Sequence, residues 1–139
     1  MAHILVAEDE RDIRELINFT LMFAGHTVTT AANGAEAVEL ATKALADGNK
    51  PDLIMTDVRM PKMTGYEACR QLKQLDAFKD TPVVFLSAKG QDEEIQSGLS
   101  VGAAAYILKP FSPTDLTKRV SELIENGVPP AAPTTPTGT

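Results

Sequence analysis

Five short apolar runs of β character alternate strictly with five segments whose apolar residues recur at helical period. The runs are residues 3–7 (HILVA), 27–31 (TVTTA), 52–57 (DLIMTD), 82–87 (PVVFLS) and 104–109 (AAYILK). Most are apolar at successive rather than alternate positions, the pattern of strands covered on both faces. Between and after them lie five stripes. Ile13, Leu16, Ile17, Thr20, Leu21 and Ala24 form the first, with Gly25 as a stop signal. Ala37, Val38, Ala41 and Leu45 form the second, ended by Asp47-Gly48, and Ala68, Cys69, Leu72 and Leu75 form the third. Ile95, Leu99 and Gly102 mark a shorter fourth; Leu116, Val120, Leu123 and Ile124 form the fifth, ended by Asn126-Gly127.

Alternating β and α segments predict parallel strands, right-handed crossovers and helices on both sheet faces. Five such units in 139 residues make one α/β domain. The expected architecture is a flavodoxin-like, doubly wound (βα)5 fold with a five-stranded parallel sheet of order 2-1-3-4-5. Its limits are expected at residues 1–126. After Gly127 the composition changes: residues 128–139 (VPPAAPTTPTGT) hold four prolines and no charge. Such a segment cannot build a core, so residues 127–139 read as a flexible tail or a linker stump.

Composition removes several classes of function. The longest apolar runs fall well short of the roughly 20 residues of a membrane span. The first strand starts almost at Met1, leaving no room for a secretory leader, so a cytoplasmic chain is expected. A net charge of −6 with scattered basic residues makes a poor ligand for nucleic acid or anionic membranes. Cys69 is the only cysteine, which excludes an internal disulfide or a cysteine-based zinc site. It reads as a small core residue; neither His3 nor His26 forms a nucleophile motif with it.

In an open parallel sheet, ligands bind beyond the carboxyl ends of the strands where the strand order reverses, here between strands 1 and 3. The first run is followed by Glu8 and Asp9, the third ends in Asp57, the fourth in Ser87 and the fifth in Lys109. Close carboxylates repel one another and favour a divalent cation among them. Oxygen-only ligands select a hard ion, with Mg²⁺ expected and Mn²⁺ as an alternative. A carboxylate can also act as a nucleophile toward phosphorus and form an aspartyl phosphate. A metal, an ammonium and a hydroxyl suit the charge on a transferring phosphoryl group. Singly, each residue has an ordinary reading: Glu8 and Asp9 as helix-capping acids, Asp57 and Ser87 as turn or cap residues, Lys109 as a solvated lysine. No structural need explains their conjunction at four strand ends.

Residues 5–10 (LVAEDE), Asp57 with Met60-Pro61 and Gly65 (DVRMPKMTG), Ser87-Ala88 and Lys109-Pro110-Phe111 resemble the receiver domain of two-component response regulators, over about residues 3–126. The resemblance implies a phosphoprotein with Asp57 as phosphoacceptor. It also implies Mg²⁺ on the Asp9 and Asp57 carboxylates and the Arg59 backbone carbonyl, with Glu8 acting through water. Lys109 would pair with the phosphoryl group, Ser87 would hydrogen-bond it, and Tyr106 would turn inward as Ser87 moves. Lys109-Pro110 would be a cis peptide. Met60, Pro61 and Gly65 would shape the loop after Asp57, and Phe111 would pack. Arg59 and Lys89 would tune the lifetime of the phosphoryl group. Many relatives have two aspartates where this chain has Glu8-Asp9; the longer glutamate suits a water-mediated role.

The resemblance further implies a phosphorelay protein rather than an enzyme, with only self-catalysed phosphorylation and dephosphorylation. Its donor would be a histidine kinase or a histidine phosphotransfer protein. A downstream protein or output domain would bind the face made by the fourth helix, fifth strand and fifth helix, near residues 95–101, 104–106 and 116–124. The uncharged loop 102–105 (GAAA) makes the acid-rich dimer of winged-helix relatives less expected. Three rivals remain. One is a receiver cut from a larger regulator whose output domain is missing. A haloacid-dehalogenase-like phosphohydrolase would need a second acid where Arg59 stands. A flavodoxin-like nucleotide binder would want a glycine- or hydroxyl-rich loop where residues 8–12 read EDERD.

Overall fold

A computed structural model describes residues 2–58, 60, 62–88, 105–109 and 111–126, with backbone alone at 87–88, 105–106, 108–109 and 125–126. Five strands form one parallel sheet of order β2-β1-β3-β4-β5, as expected. They are β1 (His3–Ala7), β2 (Thr27–Ala31), β3 (Leu53–Asp57), β4 (Val83–Ala88) and β5 (Ala105–Lys109). The helices are α1 (Arg11–Phe23), α2 (Gly34–Ala46), α3 (Gly65–Lys73) and α4 (Pro113–Asn126), with a 3-10 turn at Asp76–Phe78. Thus α4 is the fifth helical segment of the sequence. The fourth, around Ile95 and Leu99, lies outside the described residues, as do Arg59, Pro61, Lys89, Pro110 and residues 127–139.

β1 and β2 have the expected limits. β3 begins one residue late, because Asp52 is spent on a corner: its carboxylate accepts from the His3 amide at 2.9 Å and its own amide donates to the His3 carbonyl at 2.7 Å. β4 is shifted by one residue toward Ala88, which pairs with Lys109.

Successive apolar residues serve opposite faces, as two-sided burial requires. Leu5, Ala7, Ile54, Val83 and Phe85 pack with Ala37, Ala41, Cys69 and Leu72 of α2 and α3. Ile4, Val6, Met55, Val84, Leu86 and Ile107 pack with Ile17, Leu21, Leu116 and Val120 of α1 and α4.

Two stripes need correction. Only Ile17 and Leu21 of the first are buried; Leu16 is 44% exposed and Ala24 is exposed too, because α1 presents a narrow seam to the sheet. Phe19, Met22 and Phe23 also face solvent. Leu75 leaves the third stripe because α3 ends at Lys73 and the chain turns into the 3-10 segment; Phe78 fills the core in its place. The stops behave as glycine stops should: Gly25 and Gly48 have φ of 99° and 78°, a region open to residues without a Cβ.

Candidate functional site

The register brings the strand-end residues to one edge. Ala7 pairs with Thr56 across β1 and β3, so Glu8 and Asp9 leave the sheet level with Asp57. Asp57 pairs with Leu86, one residue before Ser87, and Ser87 pairs with Leu108, one residue before Lys109. The Glu8 amide still donates to the Ala31 carbonyl, at 3.0 Å, so the chain stays anchored to β2 as it passes the point where strand order reverses.

The carboxylates of Glu8, Asp9 and Asp57 converge there, with one oxygen from each lying within 4.8 Å of the others. Glu8 is fully buried, Asp57 nearly so at 8%, and Asp9 faces solvent. Two buried carboxylates beside a third repel strongly in a low-dielectric setting. A hard divalent cation with mixed carboxylate and water ligands fits this donor set, and the exposed Asp9 side gives it a way in.

Local structure assigns the acids away from ordinary capping. The N-cap of α1 is Glu10, whose side chain makes no capping bond. Glu8 instead accepts the Glu10 amide on Oε2 at 3.0 Å, folding the turn inward. Arg14, one turn into α1, donates from Nη1 to the Glu8 carbonyl at 2.8 Å. No motif marks Arg14, and its separation from Glu8 matches no helical period.

Asp57 is held from the other side. A side chain at Gly65 would overlap the Asp57 carbonyl, and the Gly65 amide donates to Val58 at 2.9 Å, closing the base of the intervening loop. The Thr56 hydroxyl donates to the Asp57 carbonyl at 3.0 Å. Thr64 caps α3 through a reciprocal capping box with Glu67. Within the loop, Met60 and Val58 are buried, and Lys62 takes a φ of 69° that non-glycine residues seldom adopt. Backbone alone describes Ser87, Tyr106 and Lys109, which sit on adjacent strands β4 and β5.

Cys69 lies in the core, as its spacing implied. His3 is a buried structural residue: Nδ1 meets the Asn49 carbonyl at 2.9 Å and Nε2 the Thr29 hydroxyl at 2.8 Å. No helix among the described residues is long and apolar enough to cross a membrane.

The chain matches the family model of the response regulator receiver domain over residues 4–121. It is 36% identical to the response regulator MprA of Mycobacterium sp. (strain KMS), over 96% of this chain and 55% of that protein. It is 39% identical to the alkaline phosphatase synthesis transcriptional regulatory protein PhoP of Bacillus subtilis (strain 168), over 87% of this chain and 48% of that protein. The chain thus spans about half the length of the curated relatives it matches. Among solved structures it is similar to chemotaxis response regulator CheY4 of Vibrio cholerae, with a TM-score of 0.81 and 37% identity over 88% of this chain and 98% of that one. Receivers of this kind are signalling domains rather than turnover enzymes; they generally bind Mg²⁺ at an acidic pocket and work with histidine kinases and output domains. The family match supersedes the phosphohydrolase and nucleotide-binder readings. The rim of acids beyond β1 and β3, the strand order and the family match agree: this chain belongs to the receiver domains of two-component response regulators.

Proposed function

We propose that residues 1–126 act as a phosphoacceptor, taking a phosphoryl group onto Asp57 and passing the change of state to a protein partner. The observation that carries this reading is the convergence of the Glu8, Asp9 and Asp57 carboxylates within 4.8 Å at the sheet's switch point. Asp9, Asp57 and the Arg59 carbonyl would hold Mg²⁺, or Mn²⁺, directly and Glu8 through water. Bound there, the ion would neutralise charge on the phosphoryl oxygens.

An Asp57 carboxylate oxygen forms the new bond to phosphorus as the phosphorus–nitrogen bond of a donor phosphohistidine breaks. The imidazole keeps the electron pair and takes up a proton. Lys109 pairs with the phosphoryl group, and Ser87 donates a hydrogen bond to it. Water later attacks phosphorus, breaking its bond to the Asp57 oxygen, which releases inorganic phosphate and returns the carboxylate. Arg59 and Lys89 set the rate of this step; hydrolysis rates of Arg59→Ala and Lys89→Ala equal to the parent's would remove that role.

Phosphorylation acts by favouring one of two conformations, with Ser87 and Tyr106 moving together. The donor is a histidine kinase or a histidine phosphotransfer protein. The output surface lies on β5 and α4 and engages a protein or an output domain rather than nucleic acid; residues 95–101, expected to complete it, lie outside the described residues.

The test is incubation with acetyl phosphate and intact-mass measurement. The parent gains one phosphoryl group in a Mg²⁺-dependent manner, Asp57→Asn gains none, and Asp9→Asn needs more Mg²⁺ for the same yield. An adduct that forms equally well without divalent cation overturns the metal-assisted reading.

A further inference from the structure

Gly34 opens α2 and is buried against the loop that follows Asp57. A Cβ at this position would overlap the Met63 carbonyl oxygen and come within 3.0 Å of both the carbonyl carbon and the Cβ of Met63. No left-handed backbone explains the glycine, since Gly34 does not adopt the positive φ that Gly25 and Gly48 take. Those two have open space around a notional Cβ. Alanine is the better helix former, so close approach is the physical reason a glycine suits this position.

The corner bearing Gly34 is stiff. The Asn33 side chain accepts the Glu36 amide at 2.8 Å, and the Glu36 carboxylate accepts the Ala32 amide at 2.6 Å. One residue back, the Ala31 carbonyl accepts the Glu8 amide at 3.0 Å. Residues 31–34 therefore touch both sides of the acidic cluster: the Glu8–Asp9 turn through Ala31, and the loop between Val58 and Gly65 through Gly34.

We propose that Gly34 is a positioning residue for the acidic site, with the β2–α2 corner acting as a rigid gauge that sets the distance between the Glu8–Asp9 turn and the loop after Asp57. This rests on the reading that the site holds Mg²⁺ with help from that loop. Adding one methyl group at position 34 pushes the loop away and weakens the metal site from a residue that touches neither metal nor phosphoryl group.

The test uses the full chain and amide NMR spectra during a Mg²⁺ titration. Gly34→Ala weakens Mg²⁺ binding about tenfold, the scale of a supporting-residue loss. With acetyl phosphate it raises the half-saturating Mg²⁺ concentration by a similar factor, while the rate at saturating Mg²⁺ stays within about twofold. In the metal-free protein it shifts the Val58 and Gly65 amides. Ala41→Gly, in the interior of the same helix, weakens the fold but leaves Mg²⁺ affinity and those amides unchanged. Asn33→Ala loosens the corner without inserting an atom and weakens Mg²⁺ binding by a smaller factor, so the idea stays testable if Gly34→Ala folds poorly. Parent-like Mg²⁺ affinity in both Gly34→Ala and Asn33→Ala, with amide shifts confined to α2, overturns the inference. A parent that binds no Mg²⁺ sinks the metal reading instead, while the metal-free amide shifts still report whether the corner and loop are coupled.

Discussion

Gly65 lies so close to the carbonyl of Asp57 that a Cβ at position 65 would overlap that oxygen and stand 3.2 Å from the Thr56 hydroxyl. The start of α3 and the candidate phosphoacceptor are thus packed backbone to backbone. Gly65→Ala must displace one of them. Overpacking at such a contact costs about 1–3 kcal/mol, read as a lower urea midpoint with an unchanged m-value. The same variant is expected to lose most of its phosphorylation by acetyl phosphate, because the end of β3 shifts with the carbonyl. Parent-like stability and yield would show that the contact relaxes freely.

Lys62 carries a left-handed φ of 69° within the same loop. Such a conformation costs a side-chain-bearing residue about 1–2 kcal/mol, partly offset in a glycine variant by greater freedom of the unfolded chain. Lys62→Gly is expected to raise stability by up to about 1 kcal/mol. A fall of that size in chemical denaturation would mean that the exposed lysine side chain holds the loop.

Burial pushes the Cys69 thiol up from about 9 to about 11, against a smaller downward pull from Lys73. The folded state therefore keeps a proton that the unfolded state releases near pH 9. The associated stability is fully present below pH 9 and is lost as pH rises toward 11, by about 2–3 kcal/mol. Burial also lowers the pKa of Lys73, which acts in the opposite sense, so the comparison must be internal. Urea unfolding of parent and Cys69→Ala from pH 7 to 11 should show a steeper alkaline decline in the parent. Parallel curves would contradict it. Alkylation of Cys69 by iodoacetamide should be slow until the protein unfolds.

The sheet was legible because a strand covered on both faces must be apolar along its length and must turn polar where it meets the rim. That rule located β1 and the polar ends at Glu8, Asp57, Ser87 and Lys109 within a residue, whereas the edge strand β2 was marked by its β-branched residues. It failed at Asp52, whose backbone and side chain are committed to His3. It said nothing about Leu16, because periodicity reports an apolar face but not how much of it a neighbour covers. The 3-10 turn escaped for a different reason. Lys50 donates to the Ala77 carbonyl at 2.8 Å and the Thr81 hydroxyl at 3.0 Å, and Lys73 donates to the Thr81 carbonyl at 2.6 Å. Lys73 braces the connection from the end of α3, and Lys50 does so from a segment distant in sequence, a tertiary arrangement with no local pattern. Gly34 and Arg14 were missed likewise: Gly34 acts on a backbone carbonyl of a loop distant in sequence, and Arg14 on a nearby one that lies off the helical period. The acids could be listed from the chain, but their approach to within 4.8 Å needed the folded register.

The central claim is that Asp57 itself receives the phosphoryl group, and the most direct measurement is to locate that group. The parent is phosphorylated with acetyl phosphate and Mg²⁺, reduced with borohydride to convert any acyl phosphate to an alcohol, digested, and sequenced by mass spectrometry. The account predicts reduction at Asp57 alone, abolished in Asp57→Asn. A modified Asp9 or Glu8, or an adduct that survives in Asp57→Asn, would contradict it.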